Sequence, residues 1–262
     1  MVRLIENFMN KKFIKMFNLF IKRKLKSYNL VYLTCDFRGF FKKYYPINGD
    51  HFCDQLISCL LKNKLTVVIP AYSYTSSGKF CLDNTNTNLS YISKWAFKRK
   101  LYRTSHPIFS VFIIGKKKRI FSKLGKHAFG KKSFWEKLLK NKSSLLHIGR
   151  PFSLGNTIIH FVENNVKAEY RFHKIFSTRV YRGKRYIGSN YSAFVQKRKY
   201  RGKKIDTDTK KISRMIEKKN FYKKIGSDKN FTNITHLDFY KTYNFMCEAY
   251  NKNKKIFIKE VE

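Results

Sequence analysis

Three side chains able to move a proton or hold a charge fall at intervals of three: Thr157, His160 and Glu163, in the segment NTIIHFVE. If Asn156 or Thr157 caps a helix, a hydroxyl, an imidazole and a carboxylate lie close to one face of its first turns. Just upstream, LLHIG (145–149) is a short apolar run that predicts a buried strand ending at Gly149. Between the two lies a turn-rich stretch with Pro151, Ser153, Gly155 and Asn156. The trio therefore sits beside the loop after a strand, where ligands commonly bind in α/β folds. A base, an acid that orients it and a donor facing a developing oxyanion suit acyl transfer. The same residues also have a plain structural explanation. Thr is a common helix N-cap, a lone His on a short helix is usually packed or solvated, and a Glu in a first turn suits the helix dipole.

The elements that would position these groups come from the rest of the chain. It has 262 residues, 43% of them hydrophobic and 17% aromatic, enough for one α/β domain with a large core and too apolar for a disordered chain. LVYLTC (30–35) predicts a first buried strand, followed by a loop with Arg38 exposed and Gly39 as its break. An arginine and a glycine after a strand suit a phosphate or a cofactor arm, or a simple turn. HFCDQLISCLLKN (51–63) has the spacing of a helix, and LTVVIPAY (65–72) that of the next strand, stopped by Pro70. The polar segment 72–88 is long enough for a loop over a site, and equally suits a surface loop. A helix is expected over 90–101, a strand in the second part of 103–115, and a helix around 133–141. Alternating strands and helices argue for a single three-layer α/β/α domain with a mainly parallel or mixed central sheet. After Glu169 the pattern loosens: YRFHKIF and RVYRGKRYIG suggest strands, the stretch near KKISRMIEKKNFYKK a helix, and residues from THLDFY onward a closing helix and tail.

Residues 1–28 form a separate unit in this reading, a basic amphipathic helix ahead of an α/β domain over 29–262. Met9, Phe13, Phe17 and Phe20 or Ile21 recur at helical spacing, with Lys11, Lys15, Lys22, Arg23, Lys24 and Lys26 between or after them. Such a helix packs one face on the domain or lies on an anionic membrane. The formal net charge is +41, from 57 Lys and Arg against 16 Asp and Glu. A polyanionic partner explains this, as does a bias toward the Lys, Asn, Phe, Ile and Tyr of AT-rich codons. Cys35, Cys53, Cys59, Cys81 and Cys247 are odd in number and make no C-x-x-C pair, so no disulfide framework or zinc site is expected. A reducing, cytoplasmic setting follows, with no metal. No run of about 18 apolar residues predicts a transmembrane helix, and Lys11, Lys12 and Lys15 interrupt any signal-peptide core.

Four stretches, in order, resemble the aminoglycoside 3-N-acetyltransferase family over roughly residues 30–180. RTSHPIFSVFIIG (103–115) is similar to the family's R-S-x-H-P-x-x-S…G segment. LTVVIPAYSY (65–74) resembles its T-x-x-x-P-x-F/Y-x-Y strand and loop, NTIIHFVE (156–163) its N-T-x-x-H-x-x-E segment, and LVYLTCDFRGFF (30–41) its first strand and cofactor loop. One departure is Thr34, where the family often has a His in the first strand. The resemblance implies an acetyl-CoA-dependent N-acetyltransferase on a single α/β domain, acting on an amino sugar or aminoglycoside-like amine. It implies His160 as general base, Glu163 as the group orienting its imidazole, and Thr157 as a donor to the oxyanion. It places Arg38, Gly39, Arg103, Ser105 and His106 along the CoA channel. Tyr72, Tyr74 and Asp83, in and beside the loop after the second strand, are the candidate acceptor contacts. The alternative from another class is a basic nucleic-acid-binding or ribosome-associated module without catalysis. The charge supports it, but no zinc finger, KH loop or RNP-type motif accompanies it.

Overall fold

The computed structural model describes residues 2–43, 48–152, 157–227, 229 and 232–262. In the first helix it describes the side chains of residue 11 and of residues from 13 onward. The Ser153, Gly155 and Asn156 of the expected turn, and the Met9 side chain, lie outside what it describes.

The strand Leu30–Cys35 is the centre of a seven-stranded sheet, and all six of its residues are buried. Thr66–Pro70 and Ser143–Ile148 flank it in parallel. Outside Ser143–Ile148 lie Ile234–Asp238 and then Tyr222–Ile225, both antiparallel. Outside Thr66–Pro70 lie Val111–Ile114 and the short Tyr102–Arg103, also antiparallel. The sheet is thus mixed: parallel at its centre, where the strands are buried on both faces, and antiparallel toward both edges.

Strand alternation divides the interior in two. Val31, Leu33 and Cys35 join one cluster with Val67, Ile69, Leu146 and Ile148. That layer is covered by α1 (Val2–Lys24), α3 (Gly49–Lys62) and α4 (Tyr91–Lys98), with α2 (Arg38–Lys43) at its end. Leu30, Tyr32, Val68 and Leu145 join the other cluster. There the cover is α5 (Phe134–Leu139), α6 (Ile158–Asn165), α7 (Thr209–Glu217) and α8 (Phe239–Lys252). The helix starts follow local chemistry: Asn48, Ser90, Ser133, Asp208 and Asp238 each accept a backbone N–H at an N-cap.

Three local expectations change. DFRGF is not an open loop: Arg38 opens α2 and Gly39 lies in its first turn. The stretch THLD is not the start of the closing helix but the strand Ile234–Asp238, whose Asp238 caps α8. The basic stretch near 209–224 divides into α7 and the edge strand Tyr222–Ile225. In α1, Phe13, Phe17, Phe20 and Ile21 are all buried in the core. The described part of the apolar stripe is therefore occupied by the domain, and among the described side chains of this helix Met16 and Leu19 are the large apolar ones left exposed.

Candidate active site

Helix α6 starts just after the C-terminal end of Ser143–Ile148, and the 3.6-residue period brings His160 and Glu163 onto one face. His160 Nδ1 lies 3.0 Å from Glu163 Oε2. The carboxylate is fully buried, whereas the imidazole is 29% exposed and open to a ligand. Phe129 meets the imidazole edge-to-face with centroids 5.6 Å apart. A buried carboxylate needs a charged partner, and Arg171 supplies it. Its Nε stands 2.5 Å from Glu163 Oε2, and its own side chain is only 4% exposed. Arg171 Nη1 donates to the Phe194 carbonyl at 3.1 Å, and Nη2 lies 2.7 Å from His160 Nδ1. Burial holds the His160 pKa below its ordinary value and the Arg171 charge lowers it further, with Glu163 acting the other way. Desolvation and a neighbouring guanidinium thus favour the neutral imidazole. The Tyr170 phenol lies beside the same carboxylate, and burial with the adjacent charge raises its pKa.

Thr157 occupies the N-cap position of α6 but makes no side-chain cap; its own backbone is already helical (φ −64°, ψ −18°). Its side chain instead lies near the phenols of Tyr32 and Tyr72. Those two phenol oxygens are 2.8 Å apart and buried. Beneath them, Thr34 Oγ1 pairs with His147 Nδ1 at 2.5 Å. An imidazole from the adjacent strand thus stands against the first strand at Thr34. His147 is neutral: burial and nearby Arg150 push its pKa down to about 3.

The remaining candidates separate into three places. Tyr72 and Tyr74 pack on Phe109, with centroids 5.2 and 6.3 Å away, and Phe109 packs on Phe129 at 4.8 Å. One aromatic wall therefore links both tyrosines to His160. Tyr74 is 60% exposed and carries a positive φ of 53°, a conformation that a tyrosine rarely adopts. His106 and Ser105 back this wall. Ser105 lies near the Tyr191 phenol. His106 Nε2 donates to the Ser192 carbonyl at 3.1 Å, and its Nδ1 accepts from the N–H groups of Ile108 and Phe109. Burial lowers its pKa to about 4.

Arg103 is equally committed. It donates to Ser110 Oγ at 3.0 Å, to the Ala71 carbonyl at 2.7 Å and to the Thr85 carbonyl. Its guanidinium also lies over the rings of Phe80 and Phe112. Both His106 and Arg103 therefore differ from the expectation of side chains facing CoA: their polar groups tie loops together. Asp83 accepts from the Gly183 N–H at 2.6 Å. It lines, with Arg103, Lys100 and Arg182, a cavity of about 380 Å³ to which none of the His160 cluster contributes.

Arg38 and Gly39 mark the third place. Arg38 pairs with Asp36 at 2.6 Å and is largely exposed. It borders a groove of about 790 Å³ at the C-terminal end of the central strands, lined by Phe37, Phe41, Tyr91 and Arg150. Arg150 Nε is buried there without a hydrogen-bond partner among the described residues. A basic, aromatic groove at strand ends with an unsatisfied guanidinium nitrogen suits a phosphate-bearing ligand.

Sequence reasoning missed Arg171, Arg150 and His147 as site residues. Arg150 follows the strand-ending Gly149 directly, and that position was the available clue. Arg171 is one of 57 basic residues and had no spacing relation to mark it. Among the described residues no cluster of His, Cys, Asp and Glu has the arrangement to hold a metal ion, and no helix is long and apolar enough to cross a membrane.

Residues 96–237 match the sequence model of a family described as aminoglycoside 3-N-acetyltransferase. Among solved structures, the chain is similar to aminoglycoside acetyltransferase AAC(3)-IIb with a TM-score of 0.70 at 13% identity, over 92% of this chain and 97% of that one. It is similar to AAC-IIIb in its binary complex with CoASH, with a TM-score of 0.69 at 11% identity, over 91% and 96%. The sisomicin-bound AAC-VIa gives 0.67 at 15% identity, over 90% and 97%. At such identities the structural likeness establishes the fold. No curated protein matches the sequence.

Proposed function

The chain belongs to the aminoglycoside 3-N-acetyltransferase family, and from that premise we propose that it transfers the acetyl group of acetyl-CoA to an amine of an amino sugar or aminoglycoside-like acceptor, with His160 as general base. The observation that carries the proposal is His160 itself: neutral, solvent-reachable, and backed by a buried carboxylate 3.0 Å from its Nδ1. An amine must lose a proton as it attacks a thioester, and a neutral imidazole accepts one near pH 7. Acetyl-CoA supplies the activated carbonyl. Among this chain's residues, Arg150 and Arg38 in the basic groove are the groups we assign to its phosphates. CoASH is bound in one structural neighbour and sisomicin in another, which supports this pairing of co-substrate and acceptor class.

Charge refines the acceptor. A polycationic aminoglycoside needs several free carboxylates. Here Glu163 is held by Arg171, Asp36 by Arg38, and Glu169 by Tyr200 and Arg201, while Asp83 accepts from the Gly183 N–H in a cavity shared with Lys100, Arg103 and Arg182, in a chain of net charge +41. We therefore favour a monoamine, an amino-sugar derivative bearing phosphate or carboxylate, over a polycationic drug.

The test is a thiol-release assay with acetyl-CoA over a panel of amines and amino sugars. His160→Ala is expected to lower turnover by about 10²–10⁴-fold and to leave CoA binding nearly intact. More than a tenth of wild-type turnover in that variant would sink the role of His160. Robust acetylation of gentamicin or kanamycin, with the sugar phosphates inert, would sink the acceptor reading.

A further inference from the structure

The contacts around His160 Nδ1 contain a contradiction that one proton resolves. Glu163 Oε2, at 3.0 Å, can only accept a hydrogen bond from this nitrogen. Arg171 Nη2, at 2.7 Å, can only donate one to it. A ring nitrogen carries either a lone pair or a hydrogen, so Nδ1 satisfies one neighbour at a time. The nearer neighbour is the guanidinium. Glu163 Oε2 already has a charged partner, Arg171 Nε, at 2.5 Å. The Phe194 carbonyl fixes the guanidinium from a further side through Nη1.

Resting on the assignment of His160 as the base, we propose that Arg171 is a positioning residue that sets the tautomer of His160. In the free enzyme it holds the ring with the hydrogen on Nε2 and the lone pair on Nδ1. That form presents a donor to the site and is idle as a base. The working form is the other tautomer, with Nδ1–H donated to Glu163 and the Nε2 lone pair facing the acceptor amine. Passing between them releases one proton from Nε2 and takes one up at Nδ1. The net exchange is zero, and the partly exposed ring lets solvent carry it. A small turn of the imidazole away from Nη2 and toward Oε2 accompanies the exchange.

Among the described residues, the charged and titratable groups facing this ring are Glu163 on α6 and Arg171 on the strand Arg171–Phe176, with Tyr170 beside the carboxylate. Phe129 packs on the ring without charge. A doubly protonated ring donates from both nitrogens, so it must give up the Arg171 Nη2 contact and face a like charge. Arg171 thereby opposes protonation as well as choosing the tautomer.

Nitrogen-15 NMR of the full chain labelled at histidine, without ligands and at mildly alkaline pH, reads the tautomer directly. His160 is assigned by its loss in His160→Gln. The expected spectrum has an unprotonated Nδ1 and a protonated Nε2. A protonated Nδ1 in the wild-type protein overturns the proposal. In Arg171→Met the ring should change to the Nδ1–H form and its pKa should rise by about one unit or more. The acid limb of the kcat/KM profile moves with it. A purely structural arginine would lower kcat and leave that pKa in place. Arg171→Lys keeps a charge beside Glu163 without Nη2, and serves should the methionine variant fail to fold. The spectrum of the free enzyme does not depend on turnover. A chain that acetylates nothing but shows the stated tautomer would refute the catalytic reading and leave this one standing.

Discussion

Acid should unfold this protein at a pH set by three histidines. His106, His147 and His236 are buried, and burial holds their pKa values down to about 4, 3 and 4. His106 is locked neutral by the backbone N–H groups that donate to its Nδ1, whereas for His147, beside Thr34, and His236, beside Ser144, burial is what disfavours the charged ring. An unfolded histidine titrates near 6.5. The folded pKa is the lower one, so below pH ~6.5 the unfolded chain binds protons that the native state refuses. The stabilisation is full above that value and is lost as pH falls toward 4, and toward 3 for His147. At pH ~5.5 each histidine costs about 1.4 kcal/mol of stability, and the three together about 4. At pH ~5 the total reaches about 6 kcal/mol, comparable to the whole stability of many domains. The paired carboxylates Asp36, Glu136 and Glu260 have lowered pKa values and lose their contribution below this window. The assay is urea unfolding followed by fluorescence of buried Trp95 and Trp135 at several pH values from 7.5 to 5. The midpoint should fall steeply below pH ~6.5 at constant m-value. A midpoint unchanged between pH ~7 and ~5.5 would refute the claim that these rings stay neutral in the fold.

Glu163→Gln leaves Arg171 buried with no counter-charge and should cost about 3–5 kcal/mol of stability by urea unfolding. Adding Arg171→Met should restore much of it without restoring activity; an unaltered midpoint in the single variant would contradict the buried pair. Phe17→Ala removes a fully buried ring of α1, stacked on Phe13 at 5.9 Å, and should cost about 3–5 kcal/mol; a loss under about 1 kcal/mol would mean that α1 is dispensable. Arg150→Ala should raise KM for acetyl-CoA by about 10–100-fold, the worth of a charge-assisted hydrogen bond, with kcat little changed; an unchanged KM would move the co-substrate elsewhere.

The legible parts of this chain were those where local physics and the final environment agree. Leu30–Cys35, Thr66–Pro70 and Ser143–Ile148 are buried on both faces, and each carries a mainly apolar run, LVYL, VVI or the LLHI of 145–148, that marks it in the sequence. The His160–Glu163 pair was legible because a helical period alone brings them together. Ile234–Asp238 was not, because ITHLD mixes polar residues into a strand that owes its place to the neighbouring Ser143–Ile148. His236 finds its partner Ser144 only once that pairing exists. Arg171 was invisible for a related reason: a strand, a helix and a carbonyl from Phe194 must all converge before its role exists. For Arg103 and His106 the family resemblance suggested the CoA channel, whereas their hydrogen bonds run to neighbouring loops and strands.

The central strand has a consequence for how the molecule comes apart. Its residues alternate between two separate interiors, one under α1, α3 and α4 and the other under the helices that include α6. Loosening either helix layer strips water protection from the same six backbone amides. The amides of Leu30–Cys35 should therefore be among the last to exchange with deuterium, and at a single rate-limiting opening. A lesion in α1, on the opposite face from His160, would then silence the site by releasing the strand beneath Tyr32 and Thr34. The two faces share one fate, so activity and hydrogen-exchange protection at the sheet centre should decline together across any series of α1 variants.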